Sequence, residues 1–170
     1  MKRVLITGMS GSGKSAVVFE LLDRGCRAVD LDTTDWSEWV DVGSADPLTP
    51  AEGKDWRWRE DRVRALLSEA TERLLFVSGC AENMGRLLPL IDLVVLLSAP
   101  VTTIMERLAA RAADGYGHTA GEQQNVAALI TTIEPLLRDI ADHEIDTAQP
   151  VAGTVDQLLR LCGEADQVPA

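Results

Sequence analysis

Residues 8–15 read Gly-Met-Ser-Gly-Ser-Gly-Lys-Ser and fit the pattern GxxxxGK[ST]. Each fixed residue type answers a physical need. Glycines let backbone N–H groups curl around a phosphate without Cβ clashes. A helix opening near Lys14 points its positive end at the same anion. A lysine reaches the β- and γ-phosphates as a mobile point charge, and a hydroxyl such as that of Ser15 ligates Mg²⁺. The expected cradle is therefore Gly8, Ser10, Gly11, Ser12, Gly13, Lys14, Ser15 and Ala16. Lys14 is one of only three lysines, with Lys2 and Lys54, beside 13 arginines.

Further along lie Asp30 and Asp32, a carboxylate pair two residues apart at the end of an apolar run. In a strand such spacing sends both side chains the same way. One carboxylate suits a Mg²⁺-bound water, and the other can take a proton from an attacking hydroxyl. Asp35 is an alternative to Asp32. The segment 55–64, Asp-Trp-Arg-Trp-Arg-Glu-Asp-Arg-Val-Arg, is dense in aromatics and cations. Arg59 and Arg62 fall three apart, on one face of an expected helix, and suit an aromatic or anionic acceptor. All four tryptophans lie in the section between the second and third expected strands.

The elements that must position these groups follow from periodicity. Short continuous apolar runs at 4–6, 27–31, 74–77 and 93–97 predict strands buried on both faces, and 144–146 predicts a short fifth. Amphipathic spacing predicts helices over 15–24, 56–73, 101–113, 122–141 with an interruption at Pro135, and 153–161. Gly25 is a helix-stop signal. Strands alternating with helices predict an α/β fold with a parallel sheet covered on both sides. Candidate ligand residues then sit at the carboxyl ends of the strands.

Charge narrows the partners. Sixteen lysines and arginines against 27 aspartates and glutamates give a net charge of −11. Such a surface repels nucleic acid and anionic membranes. No apolar run approaches the ~20 residues of a membrane span, and the first residues carry no signal-peptide pattern. Cys26, Cys80 and Cys162 form no CxxC pair, which speaks against a zinc site or a disulfide framework and for a reducing compartment. The expectation is a cytoplasmic protein with neither nucleic-acid nor membrane partner, either monomer or homodimer.

From Gly11-Ser-Gly-Lys-Ser15 through Gly25 to Val29-Asp-Leu-Asp32, the chain resembles the P-loop kinases of the nucleoside-monophosphate kinase and shikimate kinase superfamily. The opening is especially similar to dephospho-CoA kinases. The resemblance implies a three-layer P-loop NTPase fold with a five-stranded parallel sheet and a small lid. It implies one domain over 1–170, with an acceptor-binding insert at about 33–72, a lid at about 112–124 and a flexible tail at 163–170. It implies ATP and Mg²⁺ as cofactors, Asp30 in the metal shell with Ser15, and Asp32 on the acceptor hydroxyl. Ser78 stands where related kinases carry an acidic residue, which moves the metal-shell burden to Asp30. Gly79 and Cys80 would line the acceptor site, with Asn83 on the same edge. Arg107 and Arg111, followed by Gly115-Tyr-Gly-His118, resemble the lid entry, where arginines contact phosphates and flank adenine. Pro150 would pack on the base opposite Arg107. The implied activity is ATP-dependent phosphotransfer to a hydroxyl or phosphate of a small metabolite or nucleotide; the competing reading is a regulatory ATP-binding switch. A GTPase would carry DxxG directly after the third expected strand and NKxD after a later one; Ser78-Gly-Cys-Ala81 stands at the first place, and NKxD does not occur.

Overall fold

The computed structural model describes residues 1–42, 53–110 and 119–163. A central sheet holds β1 (Lys2–Thr7), β2 (Arg27–Asp30), β5 (Leu74–Ser78), β6 (Leu93–Ser98) and β7 (His143–Asp146), in the order β2-β5-β1-β6-β7. Every pairing in it is parallel. The expected apolar runs are these strands. Alternation along them sorts the core into two layers. Val4 and Ile6 of β1, with Val95 and Leu97 of β6, face α1 (Lys14–Asp23) and α5 (Val151–Cys162). Leu5, Val94 and Leu96 face the opposite way, onto α2 (Glu60–Glu69), α3 (Val101–Ala109) and α4 (Ala120–Ile140). Each fully buried Leu, Ile or Val contributes about 1.5–3 kcal/mol. The two faces together hold the three-layer arrangement.

Register brings the carboxyl ends level. Ile6 and Asp30 both pair with Ser78, Thr7 with Leu96, and Ser98 with Asp146. The loop after β1 therefore opens at the point where the sheet order reverses, the natural crevice of an open α/β sheet. Gly25 ends α1 as expected: its N–H bonds Leu22 O (2.9 Å) and the Cys26 N–H bonds Leu21 O (2.9 Å), a Schellman closure.

Three expectations are corrected. The helix anticipated over 56–73 is a strand followed by a shorter helix: β4 (Lys54–Trp58), then α2. β4 pairs antiparallel with β3 (Ser37–Asp41), a hairpin the periodicity did not announce. The reason lies in Asp55-Trp-Arg-Trp58, which alternates with period two, and in the register that sets Trp39 opposite Trp56. Their ring centroids lie 5.0 Å apart, an edge-on pair that stabilises a strand ladder. Second, α4 runs unbroken through Pro135, which is exposed. The carbonyl that loses its partner there belongs to exposed Thr131 and can turn to water. Third, α4 begins at Ala120 because Thr119 and Glu122 form a capping box. Two 3₁₀ turns, Glu82–Arg86 and Leu88–Leu90, follow β5. Among the described residues, no helix is long and apolar enough to cross a membrane.

Candidate functional site

The loop from Gly8 to Gly13 wraps the carboxyl end of β1, and α1 starts at Lys14 with Gly13 in the left-handed region at φ 98°. Gly8 is fixed by close approach. A Cβ there would sit 2.3 Å from Leu97 O and 2.7 Å from Ser12 Oγ. Backbone cannot yield as a side chain does, so Gly8→Ala is expected to lower stability by roughly 1–3 kcal/mol in thermal melts. An unchanged melt would refute that reading of the contact. The Ser12 hydroxyl is buried against Gly8 and has no hydrogen-bond partner, and the Ser12 N–H turns back to Met9 O (3.1 Å). Ser12 thus shapes the loop from inside.

Lys14 Nζ donates to Gly8 O (2.8 Å) and Met9 O (3.4 Å) and lies 3.6 Å from Asp32 Oδ2. The Ser15 hydroxyl donates to Asp30 Oδ2 (2.8 Å), while Asp30 Oδ1 accepts from the Asp32 N–H (3.0 Å). Both carboxylates of the pair thus border the loop, although β2 ends at Asp30 and Asp32 sits in the turn beyond it, so strand alternation is not what brings them together. Asp35 is exposed and does not line the cleft.

Asp32 is built into its place. Its Oδ1 accepts the Cys80 N–H (3.2 Å). A Cβ on Gly79 would lie 2.7 Å from that oxygen and 3.0 Å from the Trp58 ring, so glycine is what lets the carboxylate and indole share the space. Gly79 therefore admits Asp32 rather than the acceptor its position foretold. Burial pushes the Asp32 carboxyl above the ordinary range. The Lys14 ammonium opposes this, Asp30 adds to it, and the Cys80 N–H and the indole pull the other way without cancelling it. Burial likewise raises the Cys80 thiol, so Cys80 lines the cleft as a neutral group. Ser78 is fully buried in the sheet, its hydroxyl unpartnered.

Arg107 reaches across from α3. Its guanidinium donates to Gly11 O (3.2 Å), Thr147 Oγ1 (3.0 Å) and Thr147 O (2.5 Å). Thr147, which sequence reasoning passed over, is buried after β7, and its hydroxyl also reaches Ser12 O (2.8 Å) and Ser98 O (3.1 Å). Together they strap the phosphate loop to the loop after β7. Pro150 caps α5, exposed and outside the cleft lining. Arg111, His118 and the expected lid up to residue 118 lie outside the described residues, and 119–124 form the start of α4.

Arg59 and Arg62 do not turn into the cleft lining. Arg59 pairs with Glu38 of β3 (2.9 Å), and Arg62 stacks on Trp36, 4.9 Å from the ring centre. Asn83 is also outside the lining. Its amide clamps Trp58 through both backbone groups, at 3.1 and 2.9 Å, and so seats the hairpin. The signal for Trp39 and Trp56 as cleft walls was their crowding between two strands; the pairing itself was not legible.

These groups line a cleft of about 990 Å³ that runs from Gly8 to the far end of α4. A glycine-rich loop at a helix N-terminus, a lysine, a hydroxyl–carboxylate pair and a second carboxylate can bind a metal-chelated polyphosphate and activate a hydroxyl beside it.

The family model described as an AAA domain matches residues 4–128, well over half of the chain. The chain belongs to that AAA-domain family. Among solved structures it resembles shikimate kinase from Acinetobacter baumannii in complex with shikimate, at 19% identity and TM-score 0.62, covering 98% of this chain and 96% of that one. It resembles an unliganded sugar kinase from a Janibacter species at 18% identity and TM-score 0.56, covering 100% and 99%. It also resembles shikimate kinase from Bacteroides thetaiotaomicron at 15% identity and TM-score 0.58, covering 95% and 98%. None of these three is a dephospho-CoA kinase. Identities this low establish the shared P-loop fold and its five-stranded parallel sheet. Comparison with curated protein sequences finds no match.

Proposed function

We propose that this AAA-domain protein is an ATP-dependent small-molecule kinase, moving a γ-phosphoryl group to an acceptor hydroxyl. The observation that carries the reading is Asp32, a half-buried carboxylate 3.6 Å from Lys14 at the mouth of the phosphate loop. A switch protein needs the loop and lysine. It has no need of a second carboxylate held beside the transferring phosphoryl group. The folds it shares with shikimate and sugar kinases support the same reading by analogy.

The residues present fit Mg²⁺. A hydroxyl and a carboxylate in mutual contact, Ser15 and Asp30, are what this ion uses when phosphates and waters complete its shell. When bound, Mg²⁺ would neutralise charge on the phosphates. Lys14 would exchange its carbonyl partners for phosphate oxygens. The backbone from Gly11 to Ala16 would cradle the anion. Asp32 would orient the acceptor hydroxyl and accept its proton. Arg107 would hold the loop against residue 147, and a guanidinium there lies beside the place where charge develops.

A coupled ADP-release screen over hydroxyl-bearing metabolites and nucleoside monophosphates, with Lys14→Ala as the blank, tests the proposal. Turnover that rises only with a particular acceptor is expected. Nucleotide binding without turnover under every acceptor would favour the switch. Within the kinase reading, Gly79→Ala displaces the Asp32 carboxylate and is expected to cut kcat by about 100-fold, with nucleotide affinity little changed. Unaltered kcat would show that the position of Asp32 is not critical.

A further inference from the structure

The acceptor half of the cleft has an unusual balance of groups. Beyond Asp32 its walls are the Trp39–Trp56 pair of the hairpin, Leu88 at the start of the second 3₁₀ turn, and the α4 stripe Ile133, Leu136 and Ile140. Trp39 is 50% exposed and Leu136 57%, large apolar surface left facing an open cavity. Monomers seldom leave such surface contiguous unless something binds there.

Its cations among the described residues are all committed. Among the described residues, only Lys14 and Arg107 line the cleft as cations, both at the phosphate-loop end. The arginines of the 57–64 segment that sequence reasoning aimed at an acceptor turn elsewhere. Arg57 pairs with Asp55 (3.3 Å) and Glu82 (3.1 Å), Arg59 with Glu38, and Arg62 with Trp36. The charged groups that line the acceptor half are carboxylates, Asp55 and Glu82 with Asp32 at its edge. Arg57 is shared between the first two, the more exposed of which, Glu82, keeps most of the remaining charge in water, and Lys14 pairs with the third. An incoming carboxylate or phosphate would lose its water against apolar walls and meet acidic neighbours, with no free cation among the described residues to receive it. A cation would find each carboxylate already paired.

We infer that the acceptor is an uncharged alcohol with an aromatic or branched apolar body. The inference rests on the kinase reading for the alcohol, and on the cleft walls alone for the neutral, apolar body. The hydroxyl would sit at Asp32 and the body between the two indoles and α4. Of the two acceptor types the sequence left open, aromatic and anionic, the side-chain pairing keeps the first.

The test uses a pair of fluorescent probes with the same apolar body and different charge. Neutral N-phenyl-1-naphthylamine and anionic 1-anilinonaphthalene-8-sulfonate are titrated into the full-length protein saturated with a non-hydrolysable ATP analogue and Mg²⁺. The neutral probe is expected to bind at least ten-fold tighter. Leu136→Glu and Ile133→Glu are each expected to weaken it ten-fold or more, and Leu136→Arg to strengthen the anionic probe. Leu136 is exposed, so its variants should melt like wild type, which keeps the comparison valid if Ile133→Glu does not fold. Equal or tighter binding of the sulfonate would overturn the inference, as would neutral-probe binding that neither Leu136 variant moves. This readout needs no turnover. Failure of the kinase reading, seen in the ADP-release screen, is therefore distinguishable from failure of the neutral-acceptor assignment.

Discussion

Lys14→Ala is expected to abolish turnover, with kcat/KM lower by about 1,000-fold or more, equivalent to ~4 kcal/mol of transition-state stabilisation. Two effects add. The variant loses the charge that would meet the β- and γ-phosphates. It also frees Gly8 O and Met9 O, which Lys14 now bonds, and so slackens the cradle. Removing the ammonium beside Asp32 lets that carboxyl rise further, because Lys14 is what chiefly opposes the burial. ADP release and calorimetric titration of nucleotide measure the two losses separately. Wild-type turnover in this variant would remove the phosphate loop from the chemistry.

Asp32→Asn should separate binding from transfer. Asparagine keeps the volume and an oxygen for the Cys80 N–H, so nucleotide affinity is expected to stay within about three-fold, while transfer falls roughly 100- to 10,000-fold. The pH profile supplies a second signature. A base must be deprotonated, and burial holds Asp32 above the ordinary aspartate value of about 3.9. The acid limb of kcat/KM is therefore expected above that value in the wild type and absent from the residual activity of the variant. Stability moves the opposite way. With its pKa raised on folding, Asp32 binds a proton more tightly in the folded state, so its contribution declines as pH rises from the unfolded to the folded pKa. Above that window Asp32→Asn is expected to melt higher than wild type. Full transfer activity in Asp32→Asn would exclude the carboxylate as base.

Much of this was legible along the chain because it is local. Gly8 through Ser15 announce a phosphate cradle, since positive φ angles and a helix start are properties of a few consecutive residues. The strands β1, β2, β5 and β6 announce themselves because a strand buried on both faces has no polar alternation to confuse it. Asp30 could be placed at a strand end, with Asp32 close by, from the apolar run that precedes them; the turn that carries Asp32 was not legible.

The hairpin was not legible because a strand pair is stabilised between segments. Trp39 and Trp56 meet across the ladder, and nothing within 54–58 taken alone outweighs the helical pattern that follows it. Only packing could show that Gly79 makes room for Asp32, that Thr147 joins Arg107 to the phosphate loop, or that Asn83 seats Trp58. The arginines mark the division most plainly. The 57–64 segment predicts arginines aimed at an acceptor, yet among the described residues only Lys14 and Arg107 line the cleft as cations. Whether a guanidinium faces a ligand or a neighbouring carboxylate depends on partners far away in sequence, and the tertiary structure turns Arg57, Arg59 and Arg62 onto the protein itself. The sequence by itself determined the phosphate loop, the parallel sheet and the carboxylate at the strand end, because each follows from the chemistry of neighbouring residues. The tertiary structure alone decided the shape and charge of the apolar half of the cleft, because that lobe is formed by side chains from the hairpin, the 3₁₀ turns and α4, which meet only on folding.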